Sequence, residues 1–545
     1  MQAIGVVLSM LVAVVASGIL VRLMPITLPT PLIQIALGAV IAAVPSLPDV
    51  HLDPDVFFLL FLPPLLFLDG WRIPKEGLLH DRALILQLAF GLVIFTVVGM
   101  GVLIHWMIPP MPYPVAFALA AIVSPTDPIA VSAISQRVPM PKRVMHVLEG
   151  ESLLNDASGL VCFRFAVAAA LTGTFSLSAA TVTFLKLVLF GVGAGVALTY
   201  AVVWVKNRIS ARLGEDAGAQ VLISLLIPFG AYQLAEHIGA SGILAAVSAG
   251  ITMSYSELSG RSLASTRVQR TAVWDTVQFA LNGMMFVLLG EQIPGILSGA
   301  VRVVQDANHL NPWWLVVYAL AINLGLACAR FIWVWVSVSL TRYWARRRGE
   351  PSAPRPSVRL VAAVSVAGVR GAITLAGVLT VPLTLDNGAP FPARDLMIFL
   401  AAAVIIVSLL AASVGLPRLL RGLAMPSDSA DEEQRYRARG IAAEAAIRAI
   451  EQAAHEGASA DHDAEIYADA AALVMDSYRR RFEGEMTPEH AAKIRRTNEI
   501  ERSLRLTGLA AEREALFALA RSEMLSQENS RKLIRDVDLL EERLR

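Results

Sequence analysis

The sequence predicts an all-α polytopic membrane protein with about 13 transmembrane helices followed by a helical tail. Three observations carry this expectation. At 545 residues the chain is 55% hydrophobic and only 17% charged, too apolar to cover a globular surface of that size. Its apolar residues gather into runs near the roughly 20 residues needed to cross a bilayer as a helix. The lysines and arginines between the runs alternate from connection to connection.

The runs fall at 3–21, 31–47, 55–70, 83–107, 113–135, 148–173, 179–205, 218–236, 240–256, 271–292, 312–340, 358–382 and 396–421. The first, "MQAIGVVLSMLVAVVASGILVR", has no basic head, and Arg22 follows the apolar stretch. It reads as a retained span and not as a cleaved signal. Odd-numbered connections carry eighteen Lys and Arg residues, among them Arg72, Lys142, Arg212 and Arg347. Even-numbered ones carry two, Arg302 and Arg394. That asymmetry puts the odd connections in the cytoplasm, hence the N-terminus outside and the C-terminus inside, in the cell (inner) membrane.

From about residue 426 the composition turns charged and Ala-rich, as in "GIAAEAAIRAIEQAAHEG". Residues 1–425 therefore read as the membrane domain and 426–545 as a cytoplasmic domain of amphipathic helices, with Thr487-Pro488-Glu489 as one helix start. The acidic stretch at Asp461, His462, Asp463 and Glu465 matches no ligand spacing and reads as a solvated loop. Cys162 and Cys328 both lie in apolar runs, where a free thiol behaves as a small hydrophobe. A net charge of +1 points to no polyanion, so no nucleic-acid partner is expected. No cofactor and no catalytic residue is expected either.

Charges at membrane depth cost about 2.5–3.5 kcal/mol each and usually line a pathway or pair with one another. Those in the runs include Asp69, Asp127, Glu149, Glu151, Asp156, Arg164, Lys186, Asp275, Glu291, Arg330 and Arg370. In "LEGESLLNDASGLVCF", Asp156 lies roughly 12 Å into its run, near the midplane of a core about 30 Å thick. Ser152, four residues earlier, shares its helix face, and Glu151 with Asn155 forms a second such pair. Carboxylate, amide and hydroxyl are hard oxygen ligands suited to a small hard cation. The competing reading is a polar cluster that glues helices together.

In "AIVSPTDPIAVSAI", Pro125 and Pro128 flank Thr126 and Asp127 at the middle of the fifth run, so the helix should break there. Freed carbonyls can then bind a cation, while Asp127 neutralises a positive helix end. In "VSVAGVRGAITLAG", Gly368, Arg370 and Gly371 interrupt the twelfth run near its centre. Runs five and twelve are seven spans apart and therefore cross in opposite directions, as inverted repeats with two broken helices require. Arg370 cannot discharge, and Glu151 is the acid expected to pair with it.

Together, "SPTDPIAV", "GESLLNDASGL" and "GVRGAITLAG" resemble the cation:proton antiporter-1 family, the sodium/proton exchangers, across the whole membrane part. The resemblance implies a homodimer with a mobile transport unit built around crossed, broken helices. It implies that Asp156 binds either a sodium ion or a proton, with Ser152, Asp127 and the Thr126 backbone nearby. It also implies that Asn155 stands where electrogenic relatives carry a second aspartate, and that Glu151 and Arg370 form a structural ion pair. At one position the chain departs from the pattern: where some members place a glutamate in the third helix, "PPLLFLDGWRI" has Leu68, with Asp69 beside it.

One carboxylate that must hold either a cation or a proton suffices to couple their movements. A carboxyl taken out of water holds its proton more tightly, and a bare buried anion is too costly to cross, so only occupied carriers move. With Asn155 uncharged, as the resemblance implies for electroneutral members, the expected exchange is one cation for one proton, independent of voltage. The expected cargo is sodium, with lithium and potassium behind it, and the expected role is pH and sodium homeostasis. Two other classes remain open at this level. An intramembrane aspartyl protease would use Asp127 and Asp156 as a dyad sharing a proton, and a cation channel would pass ions without moving protons.

Overall fold

The structure is a computed structural model that describes residues 2–24, 28–43, 54–72, 82–127, 131, 142–173, 177–257, 263–306, 313–347, 357–385, 388–421, 429–460, 464–483, 488–522 and 527–544. It divides into two units, Met1–Met425 and Pro426–Arg545, and its regular structure among the described residues is helical. Pro128, Asp461, His462, Asp463 and Thr487 lie outside the described residues.

In the first unit each of the thirteen apolar runs contains a helix. In chain order these are α1 Gln2–Leu23, α2 Thr30–Ala42, α3 Pro54–Arg72 and α4 Arg82–Leu86, which continues through a π-helical turn, Gln87–Leu92, into α5 Val93–Met107. Next come α6 Tyr113–Ile122, α7 Lys142–Thr172, α8 Leu177–Leu213, α9 Ala217–His237, α10 Gly242–Glu257, α11 Ala264–Asp306 and α12 Trp313–Arg347. The last three are α13 Val358–Val366, α14 Ala372–Leu379 and α15 Arg394–Leu420. Among the described residues, eight helices are long and apolar enough to cross a membrane unaided. The five further runs hold α2 and α6, which are shorter apolar helices, α10 with 16 residues, α3 with Pro63 and Pro64 inside it, and the pair α13 and α14 that splits the twelfth run.

Without a hydrophobic drive between helices in lipid, small residues permit the close backbone approach that packing needs. Gly38 on α2 and Gly290 on α11 show this reciprocally: a Cβ at either would fall 1.9 Å from a carbonyl oxygen of the other helix, that of Val287 or of Ile35. Gly70 on α3 and Gly250 on α10 repeat the arrangement against the Val247 and Phe67 carbonyls, at 2.4 and 2.1 Å. Two helix pairs, α2 with α11 and α3 with α10, are thereby locked at backbone contact. Around them α6, α15 and the inner face of α11 supply a continuous apolar core, with Leu119, Ile122, Met285, Leu288, Leu400 and Ile405 fully buried.

The second unit holds α16 Ser429–Ala460, α17 Ala464–Glu483, α18 Pro488–Arg521 and α19 Gln527–Leu544. Arg513 on α18 clasps α19 through Asp538 at 3.0 Å and through Glu541. These hydrogen bonds hold its guanidinium above its ordinary pKa, because they favour the charged form.

Candidate functional site

The two expected breaks are present and they touch. The helix α6 ends at Ile122, and Val123–Asp127 continues as irregular chain. Between α13 and α14, Ala367–Gly371 is likewise non-helical. The N–H of Asp127 donates to the Val369 carbonyl at 2.7 Å, and Nε of Arg370 donates to the Val123 carbonyl at 2.9 Å. Each break thus satisfies a backbone group the other exposes, as irregular backbone in a membrane interior must. Glycine makes the crossing possible. A Cβ on Gly371 would fall 1.9 Å from Oδ2 of Asp127, and one on Gly159 of α7 would fall 2.4 Å from Cγ of Pro125. The Asp127 carboxylate therefore rests against Gly371, the N-cap of α14, where the helix dipole favours negative charge.

The third wall is α7, whose 31 residues begin earlier than the apolar run because the turn from Lys142 to Val147 is helical too. Asp156 sits near the middle of this helix, and Glu151, Ser152, Asn155 and Asp156 are all buried. Asp156 and Ser152 line a cavity of about 20 Å³ together with Pro125, Thr126, Asp127, Gly371 and Thr374, room for about one water-sized sphere. The lining offers an occupant carboxylate, hydroxyl and backbone oxygens.

Asn155 does not line that cavity. Its Nδ2 donates to Oγ1 of Thr126 at 3.1 Å, bracing the broken segment against α7. Ser158 ties α7 on its other side to the π-helical turn, donating to the Ala89 carbonyl at 2.7 Å.

The expected pair of Glu151 with Arg370 is corrected by the structure. Arg330 of α12 reaches Glu151 with both terminal nitrogens, at 2.5 and 2.6 Å, and its Nε donates to the Val364 carbonyl at 3.0 Å. Both side chains are almost fully enclosed, 3% and 1% exposed. Arg370 instead donates to backbone carbonyls, those of Val123 and Gly368, while its own N–H is received by Oγ of Ser408 at 3.1 Å. The reason is geometric: a planar fork matches a carboxylate in two places, and a break leaves carbonyls that demand a donor.

Three further polar residues line the cavity. Asp69 of α3 faces the cavity with Asp127 and Asp156, and Asn282 of α11 and Thr374 of α14 do the same. Leu68, the neighbour of Asp69 on α3, is fully buried in apolar packing. The sequence signal for Asp69 was its charge at membrane depth; for Asn282 and Thr374, uncharged residues outside any motif, there was none.

With this geometry in hand, comparison with known proteins is informative. The family model described as "Sodium/hydrogen exchanger, transmembrane" matches residues 7–422. The chain is 39% identical over 544 residues to a protein of Escherichia coli strain K12 named as an uncharacterized Na(+)/H(+) exchanger, YjcE, covering 98% of this chain and 97% of that one. It is 38% identical over 536 residues to the sodium, potassium, lithium and rubidium/H(+) antiporter of Bacillus pumilus strain SAFR-032, covering 97% of this chain and 76% of the relative. In fold it is similar to the sodium proton antiporter MjNhaP1 from Methanocaldococcus jannaschii, with a TM-score of 0.58 at 18% identity, over 78% of this chain and 99% of that one. The extent of the family match, together with the Escherichia coli relative matched over nearly its whole length, places the chain in the sodium/hydrogen exchanger family.

Proposed function

We propose that the protein is a secondary active antiporter that exchanges a monovalent cation for a proton, one for one and without net charge movement, by alternating access. The observation that carries this reading is the closed cavity at the crossing, where Asp156, Asp127 and Ser152 meet the broken segment at Thr126. Asp156 is the shared binder: it takes either the proton or the cation. Ser152 contributes a hydroxyl and Thr126 a backbone oxygen to the cation, and Asp127 adds negative field from the N-terminus of α14. Such oxygens suit sodium and lithium, and the width of the cavity decides how well potassium competes. Asn155 keeps a neutral amide beside Asp156, so a single charge is exchanged for a single charge. Arg370 and Arg330 offset the acidic groups without entering the cavity.

The name of the Bacillus pumilus relative, which includes potassium, favours a second reading in which potassium is the principal cargo. Under either reading the chain acts as a homodimer in the cell (inner) membrane. The Lys and Arg asymmetry supports an outer N-terminus and a cytoplasmic tail. The deciding experiment records dye-reported pH change in inside-out vesicles as sodium, lithium or potassium is added across a pH series. Exchange with the wild type and a flat trace with Asp156→Asn are expected. Undiminished exchange in a folded Asp156→Asn protein would remove Asp156 from the mechanism, and current that follows an imposed voltage would overturn the one-for-one ratio.

A further inference from the structure

Arg164 takes no part in the site described above, yet it lies on the same face of the same helix. From Asp156, the positions at +4, +7, +8, +11, +12 and +15 along α7 line a second cavity of about 520 Å³, and that spacing is one continuous helical stripe. Two other walls of the first cavity continue into the second: α3 supplies Leu59 after Leu65 and Asp69, and the end of α14 supplies Thr380 after Thr374. The broken segment Pro125–Asp127 and Asn282 on α11 drop out of the lining, and Glu236 with its neighbours on α9 takes their place. Between the two levels the path is shut by apolar contact. Ile122 and Leu160 are buried at 0% and 3% exposure, and a Cβ on Gly377 of α14 would fall 2.0 and 3.2 Å from their side-chain carbons.

The second cavity carries its own charge pair. Nη2 of Arg164 on α7 lies 3.5 Å from Oε1 of Glu236 on α9, with the side chains 44% and 36% exposed. The same Glu236 oxygen accepts from the N–H of Gly242, at the start of α10. A charge pair left open on the wall of a cavity, and not enclosed in packing, fits a water-filled passage.

We propose that this cavity is the second mouth of the ion pathway, on the membrane face where α7 ends at Thr172, and that the Arg164–Glu236 pair sets the apparent affinity for a cation entering there. This inference rests on the exchange reading of the Asp156 site. Arg164 stands eight residues from Asp156, about 12 Å along the helix axis. A unit charge at that range, in an effective dielectric of about 20, changes cation occupancy about tenfold. Glu236 cancels the Arg164 charge in the wild type, so the two single variants act in opposite directions.

The test is a sodium titration of exchange in vesicles of both orientations, with Glu236→Gln, Arg164→Gln and the charge-swapped Arg164→Glu/Glu236→Arg protein. Glu236→Gln should raise KM for sodium on the Thr172 face about tenfold and Arg164→Gln should lower it by up to about tenfold. KM on the other face should change less for both. The charge swap should return KM to within about threefold of the wild type. Shifts in the same direction for both single variants, equal shifts on both faces, or no shift would overturn the proposal. Because Asp156→Asn is scored in the same vesicles, these outcomes leave the exchange reading standing, whereas persistent exchange in Asp156→Asn removes that reading itself.

Discussion

Replacing Glu151 by Gln strips the carboxylate from an almost fully enclosed arginine. Arg330 would keep its bond to the Val364 carbonyl but lose the counter-charge for both terminal nitrogens. With the pair 3% and 1% exposed, water cannot compensate, and breaking such a pair costs about 3–5 kcal/mol. A glutamine oxygen still accepts one hydrogen bond, which recovers about 1 kcal/mol. The expected loss is therefore about 2–4 kcal/mol. The sharper measurement is a double-mutant cycle from reversible unfolding in mixed SDS and detergent micelles. Coupling between Glu151→Gln and Arg330→Gln should be about 2–3 kcal/mol, and that between Glu151→Gln and Arg370→Gln should stay below about 1 kcal/mol. If the Arg370 cycle gives the larger value, the partner assignment drawn from the structure is wrong and the pairing expected from the sequence is right.

Three further expectations concern the crossing and its surroundings. Gly371→Ala should drive the Asp127 carboxylate off α14, since the new Cβ would meet Oδ2 at 1.9 Å; exchange at fixed sodium should fall at least about tenfold, and normal exchange would show that Asp127 need not rest there. Asp69→Asn, at a cavity-lining position, should raise the sodium KM by about threefold to tenfold, as read from vesicle titrations; an unchanged KM would remove Asp69 from the ion's surroundings. Gly290→Ala forces a methyl onto the Ile35 carbonyl at 1.9 Å and should cost about 1–3 kcal/mol in the same unfolding assay, whereas Gly5→Ala, which meets nothing within 4 Å, should be neutral.

The membrane class, the helix positions and the two breaks were legible because lipid leaves few options. Long apolar runs must be helices, and proline or glycine with a charge at mid-span must interrupt them. Asp156, Ser152, Thr126 and Asp127 were found by the same reasoning and do share one cavity. The partner of Glu151 was not legible. Arg330 and Arg370 are both arginines in apolar runs, and only the packing of α12 against the break decides which of them faces the acid. The side chain of Asn155 was placed on the correct helix but not at the correct neighbour, since helical spacing fixes a face and does not fix a rotamer. Asp69 was legible only as a charge at membrane depth: one helical step turns a side chain by about 100°, and the sequence does not fix whether Leu68 or Asp69 faces the crossing.

The contact of Asp127 with Gly371 has a consequence for how the two interrupted segments change over time and lineage. Asp127 N–H bonds to Val369 and Arg370 bonds to Val123, so the two segments are held together as one unit. For the same reason neither half can drift alone: a β-carbon at 371 would fall 1.9 Å from Oδ2 and 2.5 Å from Cβ of Asp127, so it calls for glycine at 127 or a shift of the backbone there, and substitutions at these two positions should arise as a pair.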